Sequence, residues 1–105
     1  MSVTAVTYWK GGKAGDIVAA AKKAKAIFAK HGAQNFQLNR VHAGPDAGQW
    51  AVVTTFSDWA SYGMLQQALA GDQVYQDLLA QVSAMSELTS RRIVVSVDLQ
   101  VAQPR

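Results

Sequence analysis

Hydrophobic and polar positions fall into two periods along this chain, and the change from one period to the other marks its elements. The run Trp50 to Phe56 is β-branched and aromatic throughout, which suits a strand packed within a sheet. It passes straight into a helical pattern at Trp59, Tyr62, Leu65, Ala68 and Leu69, and Ser57 stands where an N-cap hydroxyl would accept from an unpaired helix N–H. Ahead of it, Val3 to Lys10 alternates Val3, Ala5, Thr7, Trp9 with Thr4, Val6, Tyr8, Lys10, a strand with apolar groups on both faces. From Asp16 to His31 the positions Ile17, Ala20, Ala21, Ala24, Ile27 and Phe28 recur at helical spacing, so the predicted helix has a narrow, alanine-rich inner face. Gly32 is placed to end it in the left-handed conformation.

Asn35 to Ala43 predicts a second strand, with Phe36, Leu38, Arg40 and His42 on one face. Gly44-Pro45-Asp46-Ala47-Gly48 supplies the turn of a hairpin into Trp50 to Phe56. After Leu69 the helical register is interrupted at Gly71-Asp72. Asp72 then reads as a fresh N-cap for a piece whose stripe is Val74, Tyr75, Leu78, Leu79 and Val82. Kink and separation into two helices both fit. Leu88 to Val101 alternates Thr89, Arg91, Ile93, Val95, Val97, Leu99 against Leu88, Ser90, Arg92, Val94, Ser96, Asp98, the longest strand signal in the chain. The tail through Pro104 is expected to fray.

The order β-α-β-β-α-β predicts one α+β domain over residues 1–105: a four-stranded antiparallel sheet with helices on one face and the first and last strands adjacent. Composition bears on the other face. Half of the 105 residues are hydrophobic and only 16% are charged, few charges for so small a domain with so much surface. A second copy of the same sheet is the expected cover, making a homodimer.

Charge and motif then remove several functions. The net charge of +3 invites a polyanion, but Lys10, Lys13, Lys22, Lys23, Lys25 and Lys30 gather in and around one helix as a solvated face does. Trp50 to Phe56 holds no Lys or Arg, so the basic-aromatic strand of RNA-binding split βαβ modules is missing and no nucleic acid is expected. With no cysteine there is no disulfide, thiolate catalysis or Cys-based metal site. His31 and His42 lie on different elements, and neither metal nor cofactor is expected. Gly11-Gly12-Lys13-Ala14-Gly15 matches neither phosphate-loop spacing. No signal-peptide pattern opens the chain and no apolar run nears the roughly 18 residues of a membrane span, which predicts a cytoplasmic protein without membrane association.

The run Arg40-Val41-His42-Ala43-Gly44, the stretch Gly48 to Phe56, Trp59-Ala60-Ser61-Tyr62-Gly63 and Ala68-Leu69-Ala70-Gly71-Asp72 together resemble the dimeric α+β barrel superfamily of ferredoxin-like proteins. The likeness is nearest to small proteins related to the NIPSNAP and antibiotic-biosynthesis monooxygenase groups. The resemblance implies a homodimeric α/β barrel whose two sheets enclose a partly apolar cavity, and a family that includes cofactor-independent oxygenases, haem-degrading enzymes and lactone isomerases. Trp50, Trp59 and His42 are of the types found in the haem-degrading constellation, but their spacing does not match it.

Arg40, His42, Trp50, Tyr8 and Arg92 are the candidate pocket residues. An Arg can fix an oxyanion bidentately and a His can move a proton near neutral pH, so a cavity they line would take a small aromatic or anionic ligand. Two readings stand: a ligand-binding dimer, with cofactor-independent oxygenase or isomerase chemistry conceivable, and a non-catalytic dimer whose barrel interior is packed.

Overall fold

The computed structural model describes residues 1–99. The chain runs β1 (Val3–Lys10), α1 (Ala14–Lys30), β2 (Asn35–Arg40), β3 (Trp50–Phe56), α2 (Trp59–Ala70), α3 (Gln73–Met85) and β4 (Glu87–Val95). All strand pairs are antiparallel, in the order β2-β3-β1-β4, which is the ferredoxin-like α+β fold. β1 and β4 are neighbours, as the crossover argument requires.

Pleating gives the sheet two faces, and the buried side chains fall on the helix side with the exception of Ala51. Val3 and Ala5 of β1, Phe36 of β2, and Trp50, Thr54 and Phe56 of β3 are all buried, and Val3, Ala5 and Phe56 share one core cluster with Ala20 and Ile27 of α1, Leu65 and Leu69 of α2 and Leu78 of α3. Phe56, Leu65 and Val3 are the largest fully buried side chains; each contributes on the order of 1.5–3 kcal/mol by leaving water. By alternation Thr4, Val6, Tyr8, Gln37, Asn39, Ala51, Val53, Thr55, Ser90, Arg92 and Val94 fall on the opposite face, which no element among the described residues covers.

Three expectations shift, and the choice left open at Gly71-Asp72 is decided. α2 is capped by Asp58, not Ser57: the chain stays extended one residue longer (φ −161°, ψ 178°), and the Asp58 carboxylate accepts from Ser61 N–H at 2.7 Å. A carboxylate also suits the positive end of the helix better than a hydroxyl. The interruption at Gly71-Asp72 is a true separation, since Gly71 ends α2 and Asp72 caps α3 by accepting from Tyr75 N–H at 3.1 Å. β2 stops at Arg40, opposite Trp50, because the connection then closes on itself through Val41 N–H to Gln49 O and Gly48 N–H to Val41 O. β4 ends at Val95, opposite Val3, with one further bond from Ser96 N–H to Ser2 O. The predicted end of that strand at Val101, and the frayed tail, lie outside the described residues.

β4 also carries a bulge. Tyr8 pairs with Ser90, but the next residue, Trp9, pairs with Leu88, leaving Thr89 as the extra residue. Thr89 Oγ1 lies 2.6 Å from Gln49 Oε1, which ties the bulge to the start of β3.

Candidate functional site

A cavity of about 340 Å³ lies between the helix-facing side of the sheet and α1, α2 and α3. Its origin is the narrow inner face of α1: Ala20, Ala21 and Ala24 stand over Ala5, Thr7 and Thr54 of the sheet, so small residues face small residues and space is left between them. Large rings wall it. Trp9, Trp50, Phe28, Phe36 and Tyr75 all line it, with Phe28 edge-on to Phe36 at 5.0 Å and to Tyr75 at 5.8 Å between centroids. The volume is in the range of small-molecule sites, which are mostly apolar with a few polar groups.

Those polar groups are Thr7, Thr54, Gln66, Tyr75, Gln76 and Arg91. The Gln76 amide is already committed, donating to Leu69 O at 3.0 Å. Arg91 is the one charged residue of the lining, which includes no Asp, Glu, His or Lys. Burial raises the Tyr75 hydroxyl above its usual pKa of 10.0, and the nearby Arg91 charge opposes that shift. At neutral pH Tyr75 is therefore a proton donor and not a base. The arrangement can desolvate a small apolar molecule, stack on its rings and meet one negative or phenolic oxygen with Arg91 or the Tyr75 hydroxyl. It has no carboxylate or imidazole with which to abstract a proton.

At the edge of this site His31, the C-cap of α1, bonds through Nε2 to Asp72 Oδ2 at 2.8 Å, joining the end of α1 to the start of α3 beside Phe28 and Tyr75. The pair is well placed electrostatically, with an imidazole at a helix C-terminus and a carboxylate at an N-terminus. The bond from His31, and after it the Tyr75 N–H, hold the Asp72 carboxyl below its ordinary value of 3.8.

The predicted site residues separate onto different surfaces. Trp50 is in the cavity wall, 7% exposed. Arg40, its partner in the β2–β3 register, stacks on it with the guanidinium carbon 4.2 Å from the ring centroid, while Nε donates to Gly48 O at 3.1 Å. His42 lies beyond the end of β2 on the exposed connection to β3. Tyr8 and Arg92 belong to the uncovered face, where Arg92 sits 5.3 Å over the Tyr8 ring and 3.7 Å from the Asp46 carboxylate. Arg91, Tyr75 and the alanines of α1 were not among the candidate pocket residues, although the pattern placed Tyr75 and those alanines on the inner faces of their helices. Arg91 had a signal, since it alternates in phase with Ile93 and Val95, the apolar side of its strand.

No protein-family model and no curated protein sequence matches this chain. Solved structures do match in shape. SnoaB, a cofactor-independent oxygenase from Streptomyces nogalater, superposes with a TM-score of 0.71 at 13% identity, over 92% of this chain and 94% of that one. A NIPSNAP family protein from Agrobacterium tumefaciens gives 0.64 at 17% identity, over 96% and 99%. A dimeric ferredoxin-like protein from an uncultured marine organism gives 0.67 at 19% identity, over 92% and 98%. A putative antibiotic biosynthesis monooxygenase from Bordetella bronchiseptica gives 0.68 at 13% identity, over 91% and 97%. These are the groups the sequence resembles, and at such identities what is shared is the fold. Among the described residues no cluster of His, Cys, Asp and Glu could hold a metal ion, and no helix is long and apolar enough to cross a membrane.

Proposed function

We propose that the protein is a cytoplasmic homodimer in which each protomer binds a small aromatic ligand, neutral or carrying one negative charge, in the cavity between sheet and helices. The observation that carries this reading is the pairing of a ring-walled cavity of about 340 Å³ with a single cation, Arg91, and no acid. Trp50 is the stacking wall, Arg40 backs it from the rim, and Tyr75 and Arg91 meet the polar end of the ligand. Tyr8 and Arg92 lie on the uncovered sheet face and so meet the second copy, as does Val53 from β3. A face-to-face dimer would remove that face from water, and a structure of the same fold is a dimer.

Catalysis is the second reading, supported by a cofactor-independent oxygenase of the same fold. A substrate oxidised in this cavity would have to lose its proton without a strong protein base, so it would itself be acidic, as a phenol or an activated methylene is. The alternative of a non-catalytic dimer with a packed barrel interior predicts no response to ligand and is tested by the same experiment.

The test is thermal unfolding against a panel of phenols, quinones, fatty acids, haem and cationic amines. A ligand at a hundred times its dissociation constant adds about 2.7 kcal/mol. That is a rise of about 11–22 °C for a domain of this size. Stabilisation by phenols or quinones with no response to cationic amines is the expected result. A flat response across the whole panel refutes ligand binding.

A further inference from the structure

Thr54 is the one polar residue buried among the described residues, at 4% exposure. It stands on the helix side of β3, between Ala5 of β1 and Phe36 of β2, and it lines the cavity. Its hydroxyl makes no hydrogen bond among the described residues. In the same set no side-chain nitrogen or oxygen is sealed in the interior without a partner. The Thr54 hydroxyl therefore opens onto space that a small molecule can reach, and the space beside it is the cavity. A buried hydroxyl left unpaired costs free energy that a ligand atom can recover.

The register extends this polarity across the floor of the cavity. Thr7 of β1 pairs directly with Arg91 of β4, and both line the cavity; side chains paired in this way stand about 5 Å apart. Thr54 is opposite Ala5, two positions from Thr7, a diagonal of about 7–8 Å. Thr54, Thr7 and Arg91 thus cross β3, β1 and β4 as a polar diagonal through an otherwise apolar floor of Ala5, Phe36, Val52 and Trp50. Two strand spacings and two residues along separate the backbones of Thr54 and Arg91, about 12 Å in all. Hydrogen bonds of about 2.8 Å at either end leave room between them for one six-membered ring substituted on opposite edges. The cavity volume of about 340 Å³ is also at the small end of ligand sites.

We infer that Thr54 is a specificity-determining residue of the cavity, its hydroxyl bonding a hydroxyl on the far edge of a single-ring aromatic acid whose carboxylate is held by Arg91 beside Thr7. The inference rests on the ligand-binding reading and narrows it, from any small aromatic molecule to a hydroxylated aromatic acid. A ring without the second oxygen leaves the Thr54 hydroxyl desolvated and unpaired, and the site discriminates against it for that reason.

Titration calorimetry with 4-hydroxybenzoate and benzoate tests this on wild type, Thr54→Val and Thr54→Ser. Wild type should bind 4-hydroxybenzoate at least about tenfold more tightly than benzoate. Thr54→Val keeps the shape and removes the hydroxyl, so the two acids should then bind within about twofold of each other, while Thr54→Ser should keep the preference. The melting temperature of ligand-free Thr54→Val should equal or exceed that of wild type, because the hydroxyl has no partner in the protein to lose. Equal binding of the two acids by wild type, or a preference that survives Thr54→Val, overturns the role of Thr54 and leaves the ligand-binding reading standing. Stabilisation by other aromatic ligands with no binding of either acid overturns the hydroxylated acid as the ligand class. No binding by any aromatic ligand overturns both readings together. A lower melting temperature in ligand-free Thr54→Val would assign the hydroxyl to the fold, and that too overturns the inference.

Discussion

Replacing Ala24 by leucine should stabilise the ligand-free protein and abolish ligand binding in one step. Ala24 is on the inner face of α1, partly buried and part of the cavity lining. Leucine adds three carbons, and at about 0.8 kcal/mol for each buried carbon this contributes about 2.4 kcal/mol. Ordering the new side chain costs about 0.5–1 kcal/mol, which leaves a net gain of about 1.5–2 kcal/mol. For a domain of this size the melting temperature should rise by roughly 6–16 °C. The same carbons occupy ligand space, so the stabilisation that an aromatic ligand confers on wild type should disappear. Differential scanning calorimetry with and without ligand reads both effects, and Ala29→Leu on the solvent side of α1 is the control, expected within about 0.5 kcal/mol of wild type. If the helix were already in contact with the sheet, leucine would overpack the site and cost about 1–3 kcal/mol. A fall in melting temperature, or a ligand shift that survives the substitution, refutes the account of the cavity.

Three other outcomes are expected. Arg91→Leu should weaken a phenolate or carboxylate ligand about tenfold and a neutral aromatic ligand by less than twofold, read by titration calorimetry; equal losses for both would remove Arg91 from ligand recognition. Asp72→Asn should lower stability near neutral pH. Because the folded carboxyl is held below 3.8, its contribution is fully present above the unfolded-state value and is lost as pH falls from there through the lower folded value, so the gap between wild type and variant should narrow across the acid range; a gap in urea melts that stays constant from neutral pH through that whole range would contradict the His31–Asp72 bond. Gly12 has φ +89°, and a Cβ there would stand 2.7 Å from Ile17 Cδ1, so Gly12→Ala should cost about 1–3 kcal/mol in urea unfolding; a neutral result would mean that the turn into α1 adopts another conformation.

The element order was legible because each element carries its own period, and β1, α1, β3 and the break at Gly71-Asp72 stand where the pattern changes. The ends of strands were less so. Where β2 stops depends on how Val41 is recaptured by Gln49 and Gly48, and where β4 stops depends on the extent of β1 opposite it; neither is a local property. The cavity was hardest to read, since it is made by what Ala20, Ala21 and Ala24 lack, and missing volume has no pattern of its own until the opposing sheet is in place. Arg91 and Arg92 show the same limit. They are adjacent in the chain, yet one is at the cavity and the other on the uncovered face, and only a sheet with a known helix side tells them apart.

The extra residue in β4 lets one strand present two alternative walls. With unbroken pairing below Ser90, Thr89 would stand beside Trp9 and Leu88 would turn to the opposite side; as built, Leu88 stands there and Thr89 bonds Gln49. A slip of a single position, confined to the first residues of β4, would trade an alkyl surface for a hydroxyl at that corner of the cavity with no change of sequence. What that corner of the cavity presents is thus set by spacing as well as by residue type, and a one-residue gain or loss ahead of Ser90 would change it while leaving the core from Ala5 to Phe56 untouched.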